Sequence, residues 1–113
     1  MDVTTQQIGD VTVVLLPEMT LDGQSGKQFR RDIRPVLEGT KKVVFDLSQV
    51  RFVDSDGLGA ILSCVRAQTI AGGDLKLCCA TKPVRIFFDL IRLGLIVGIF
   101  DTREAAVRAF AAK

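Results

Sequence analysis

Four short runs of β-branched and aliphatic residues punctuate the chain: VTVVLL at 11–16, KVVFDL at 42–47, LKLCCA at 75–80 and LIVGIF at 95–100. Each has the composition and length of a β-strand. Between them, apolar residues return every three or four positions, the period of a helix with one buried face. Phe29, Ile33, Val36 and Leu37 share one such face, Leu58, Ile61, Leu62 and Val65 a second, and Val84, Phe87, Phe88 and Ile91 a third. Strands joined through helices of about 10 to 15 residues are crossover units, and they predict a mostly parallel sheet. This alternation constrains the fold more than any other feature of the sequence.

Boundary residues sharpen the pattern. DVTTQQIG at 2–9 reads as a weak hairpin partner of the first strand, turning at Gly9-Asp10. The segment from Pro17 to Phe29 reads as a loop running into a helix. Pro35 lacks the N–H for an i−4 bond, so it should kink or shorten that helix, and Gly39 stops it. Gly72-Gly73 ends the second helix. Pro83 suits the first turn of the third, which Gly94 closes. Asp101 to Glu104 reads as a capping box for a last helix ending near Phe110. No repeat or long linker interrupts the chain, and residues 1–113 read as one domain. Periodicity alone leaves open whether helices cover both faces of the sheet.

Composition excludes several functions. At 113 residues and 48% hydrophobic content the chain can build a real core. A net charge of +2 with scattered charges leaves no footprint for direct nucleic-acid binding or for an anionic membrane. Arg30, Arg31 and Arg34, the densest basic group, read as a solvated helix face. No apolar run reaches the ~18 residues that span a bilayer, and the first ten residues do not have the order of a signal peptide. There is no histidine, and Cys64, Cys78 and Cys79 form no CxxC pair, so no metal site is expected. Cys78 and Cys79 read as reduced core or edge residues of a cytosolic protein. No cofactor is implied.

The stretch FVDSDGLGAIL at 52–62 carries the chemistry. A strand-like run ends in Asp54-Ser55-Asp56, two glycines follow at 57 and 59, and a helical run begins at Leu58. Ser and Asp are favoured at helix starts because their oxygens accept the unpaired first amides, which gives a sufficient structural explanation. The same place suits a phosphate, since a helix N-terminus carries partial positive charge and free donors. Phosphorylation of Ser55 would add about −1.5 to −2 charge. At ~6 Å and an effective dielectric near 40, each flanking carboxylate would oppose a unit of it by about 1.4 kcal/mol. The modified loop would repel an acidic partner and disturb a closely packed one. Enzyme readings fit less well. A receiver domain needs an acidic cluster after its first strand, where only Glu18 stands. DGLGAI is too short for GxGxxG or GxxxxGK[ST], and no titratable pair suggests acid–base catalysis.

FVDSDGLGAIL resembles the D-S-[ST]-G-[LIV]-G signature of STAS-domain anti-sigma-factor antagonists. The resemblance extends to Leu21-Asp22, to KKVVFDLSQVRFVDS and to the tail LIRLGLIVGIFDTREAAVRAF. It implies a small mixed sheet of four to five strands with about four helices packed mainly on one face. It also implies a cytoplasmic, non-enzymatic binding module that sequesters an anti-sigma factor with serine kinase activity and so releases a sigma factor. That kinase, using ATP, would phosphorylate Ser55 and end the interaction, and a PP2C-type phosphatase would reverse the modification. Asp22 and Asp54 match acidic positions beside the family's partner-binding surface, which would also include Ser55, Asp56, Gly57, Leu58 and Gly59. The sequence departs from the signature at Asp56, where Ser or Thr is usual, placing a permanent charge beside the acceptor. The same resemblance admits a STAS adaptor in another assembly, such as a lipid-transport or signalling complex, with Ser55 only a helix cap.

Overall fold

The computed structural model describes residues 1–111. A hairpin opens the chain. β1 (Thr4–Ile8) runs antiparallel to β2 (Val11–Leu15), with Ile8 opposite Val11. Gly9 sits in the left-handed region at φ +60°, which only glycine adopts without strain, so the turn falls where the sequence places it. β4 (Lys42–Asp46), β6 (Asp74–Cys78) and β7 (Ile99–Phe100) then add in parallel, giving the order β1-β2-β4-β6-β7.

Side chains alternate across this sheet as the pleat requires. Val14, Val43, Phe45, Leu75 and Leu77 belong to the larger core, together with Phe29 and Ile33 of α1 (Gly23–Leu37), Ala60 and Ile61 of α2 (Ser55–Ile70), and Val84 and Phe88 of α3 (Lys82–Leu90). Val11, Val13, Val44 and Cys78 face the other way, under Ala106 of α4 (Arg103–Ala111). The mixed α/β architecture, with helices mainly on one face, is the expected one.

Differences from the sequence reading have local causes. The segment read as a loop holds β3 (Met19–Leu21), which pairs in parallel with β5 (Val50–Val53) as a separate two-stranded sheet. α1 therefore starts at Gly23 and runs through Pro35, ending two residues later. α2 starts at Ser55 rather than Leu58. Its buried face is Gly57, Ala60, Ile61, Cys64 and Gln68, while Leu58, Leu62 and Val65 are only partly covered. The small residues turn inward because α2 lies close against α1, where Gly26 faces Ala60. Ile91 was expected in the core and is exposed. LIVGIF gives a strand only at Ile99–Phe100. Arg92 adopts a left-handed conformation and Leu93–Leu95 form a 3-10 turn, leaving Leu95 and Ile96 at 83% and 68% exposure. The last helix is capped by Thr102, whose Oγ1 accepts the Ala105 amide at 3.1 Å. Asp101 instead accepts from Arg85 at 3.0 Å. Among the described residues no helix is long and apolar enough to cross a membrane.

Candidate functional site

The small β3–β5 sheet builds the site. Each of its parallel strands is followed at once by an aspartate, and each aspartate caps a helix. After β3, the Asp22 carboxylate accepts the Ser25 amide at 3.0 Å, and the Ser25 hydroxyl accepts the Asp22 amide at 2.8 Å, a complete capping box. After β5, the Asp54 carboxylate accepts the Gly57 amide at 2.8 Å. The strands run side by side, and the two helix starts lie close together, with the Asp56 carboxylate next to Gly23. Each carries the partial positive charge of unpaired amides. The Ser25 amide and hydroxyl hold the Asp22 carboxyl below the ordinary aspartate value.

The expected residues fall into distinct roles on this frame. Ser55 is the first residue of α2 and is exposed; among the described residues its hydroxyl has no hydrogen-bond partner. Asp56 is also exposed, but its carboxylate leans back onto the start of α1, so that a Cβ on Gly23 would stand 3.1 Å from Oδ2. It borders an open depression of about 740 Å3 lined by Gly23, Gln24, Lys27, Gln28, Arg30 and Arg31. The basic group read as a solvated face thus supplies two of the cations beside Asp56. Gly57 is buried, and a Cβ there would collide with the Leu21 carbonyl, which also accepts the Asp54 amide at 3.1 Å. Leu58 is partly buried against the core. Gly59 is exposed, with open space where its side chain would be.

Sequence reasoning missed Phe52, which is 44% exposed two residues before the cap, its ring centroid 6.4 Å from that of Phe87. α3 also exposes Ile86 and Leu90. The available signal was that α3 is apolar around more than one face, which a helix buried on one side does not need.

Comparisons with known proteins agree on this fold. A family model described as STAS domain matches residues 2–106. A Thermotoga maritima protein with a provisional name of anti-sigma factor antagonist is 28% identical over 103 residues, covering 89% of this chain and 91% of its own. The crystal structure of a protein of the same description from that organism matches with a TM-score of 0.84 at 25% identity, over 95% of this chain and 92% of that one. The anti-sigma factor antagonist SpoIIAA of Bacillus is similar in both its unphosphorylated form (TM-score 0.73, 22% identity, 99% and 98% coverage) and its phosphorylated form (TM-score 0.66, 21% identity, 96% and 99% coverage).

Proposed function

The chain belongs to the STAS domain family, and from that premise we propose that it is an anti-sigma factor antagonist switched by phosphorylation of Ser55. The observation that carries this reading is the free, exposed hydroxyl at the first position of α2. Ser25, by contrast, is bonded into the start of its helix. A phosphate on Ser55 would meet the unpaired amides of α2, so the folded domain tolerates it. The relatives' names support the partner class, and the two forms of SpoIIAA support a phosphorylation switch.

In this proposal Asp22, Asp54, Ser55, Asp56, Leu58 and Gly59 form the partner-facing surface, and Gly57 sets its backbone. The partner is an anti-sigma factor with serine kinase activity, and a PP2C-type phosphatase restores the binding form. Modification acts on the surface and leaves the core as it is. A partner closing over phosphorylated Ser55 would bury a dianion between Asp54 and Asp56, which costs several kcal/mol and ends binding of ordinary strength.

The protein as bait in a native lysate should recover an anti-sigma factor, and that kinase with labelled ATP should modify Ser55 alone. Label that survives Ser55→Ala rules the acceptor out. Recovery of a transport or other signalling assembly, with Ser55 unmodified, would select the adaptor reading instead.

A further inference from the structure

Cys78 ends β6, and Cys79 follows it in the left-handed region at φ +63°. In an extended strand successive side chains point to opposite faces, so adjacent cysteines are normally kept apart. The turn at Cys79 cancels that alternation and brings the two Sγ atoms to 3.3 Å. Asp46 ends the neighbouring strand β4 directly opposite Cys78. One of its carboxylate oxygens and both sulfurs lie within 4.8 Å of one another. The cluster sits at the carboxyl ends of parallel strands, where open α/β sheets commonly bind ligands.

We propose that Asp46, Cys78 and Cys79 form a three-ligand site for a thiophilic d10 cation of the zinc type, closed on its solvent side by Arg103. Zinc takes thiolate and carboxylate ligands and has no geometric preference from its d electrons. With Zn–S near 2.3 Å, tetrahedral binding sets two sulfurs about 3.8 Å apart, a small opening from the distance present. A water completes the fourth position. The carboxylate is already oriented: one oxygen accepts the Ser48 amide at 2.9 Å and the other accepts Arg103 Nε and Nη2 at 3.1 and 2.6 Å. Ligating carboxylates are held by such outer partners.

Charge supports the assignment. Asp46 and Arg103 neutralise each other, and both thiols are uncharged. A divalent cation displaces the two thiol protons to solvent, so two thiolates, one carboxylate, one guanidinium and the metal again sum to zero. The site is therefore neutral in both states, which a mostly buried cluster requires. A search for CxxC spacing does not find it, because the backbone at Cys79 and not the spacing makes the two sulfurs converge.

Cadmium(II) is the direct probe, titrated into phosphine-reduced protein. The expected result is one cadmium per chain, a sulfur-to-metal ultraviolet band, a mass gain equal to the metal less two protons, and displacement of the band by zinc. Cys79→Gly separates a site from a structural role. Glycine accepts the positive φ at no steric cost, so this variant keeps its circular dichroism and melts no lower, yet its cadmium affinity falls at least about a hundredfold, the upper end of what losing an outer partner alone costs. Cys64→Ala keeps the band. Absence of the band in the parent protein, or full-strength binding in Cys79→Gly, overturns the proposal.

Discussion

α1 and α2 begin alike and differ in where the serine stands. Each follows a strand of the same two-stranded sheet, and each has an aspartate cap accepting the amide three residues on, from Ser25 in α1 and Gly57 in α2. In α1 the third position is the serine. Its hydroxyl accepts the Asp22 amide at 2.8 Å and donates to the Thr20 carbonyl at 2.8 Å, so it is used up in holding the helix start. In α2 the serine stands at the first position, with no partner among the described residues, and the third position is a buried glycine. A serine two positions earlier on the same frame thus changes from a structural group to an available one. The comparison also shows that helix-start chemistry alone does not mark a functional serine.

The strongest way to break the symmetry is at the third position. Gly57→Ala puts a methyl group into the Leu21 carbonyl, which is backbone and cannot swing aside. α2 must lift from β3, losing the Asp54 amide bond to Leu21 and the cap with it. Overpacking of this kind costs about 3 kcal/mol or more, and thermal melting should fall by more than about 10 °C. Two residues on, Gly59→Ala meets open space and replaces glycine within a helix, so it should stabilise by about 0.5 to 1 kcal/mol. Because Gly59 lies on the proposed partner-facing surface, the added methyl should nevertheless weaken binding of the anti-sigma factor. A Gly57→Ala variant that melts like the parent would show that α2 is not seated on β3 as described.

A middle-sized effect tests the serines themselves. Ser25→Ala removes the hydroxyl half of the capping box and its bond to the Thr20 carbonyl, keeps the backbone amide half, and should cost about 1 kcal/mol. Ser55→Ala removes no bond and should stay within about 0.5 kcal/mol of the parent in urea unfolding. The same difference has a pH signature. The Ser25 amide and hydroxyl lower the Asp22 carboxyl in the folded state. A carboxyl lower in the folded than in the unfolded chain stabilises above the unfolded value, near 3.9 for aspartate. That contribution disappears as pH falls through the lowered folded value. The acid limb of the stability curve should therefore be shallower in Asp22→Asn. An unchanged limb would place the acid sensitivity elsewhere, with the Asp46–Arg103 pair the next candidate.

The parts of this frame that were legible from sequence are those made by local pattern. β2, β4 and β6 are β-branched or aliphatic runs of ordinary length, the hairpin carries a glycine where φ is positive, and Asp54-Ser55 is a recognisable helix start. The β3–β5 pairing was not legible, since three- and four-residue strands gain their stability from a non-local partner and not from their own composition. The pairing of two helix starts was hidden with it. LIVGIF has the composition of a strand, but a left-handed Arg92 starts a 3-10 turn that turns Leu95 and Ile96 outward and leaves only Ile99–Phe100 extended. The meeting of Cys78 with Cys79 depends on one backbone angle that no propensity scale predicts for cysteine.

The smallest effect concerns Asp56, the departure from the family signature. Its charge opposes one acidic group of the partner at ~6 Å by about 1.4 kcal/mol, by the same arithmetic as for a unit of phosphate charge. The structure adds a counterweight: the carboxylate leans on the N-terminus of α1 at Gly23 and borders the depression holding Lys27, Arg30 and Arg31. A helix terminus offsets about 0.3 to 1 kcal/mol of such a charge. The residual repulsion is then about 0.4 to 1.1 kcal/mol, so Asp56→Ser should tighten binding of the anti-sigma partner only about twofold to sixfold in titration calorimetry. The same substitution removes an anion from a helix start and should lower stability by about 0.3 to 1 kcal/mol. The two changes have opposite signs, which separates them from a general loosening of the loop. Weaker binding in Asp56→Ser would mean that the carboxylate contacts the partner directly, and the difference between the two helix starts would then lie in Asp56 as much as in Ser55.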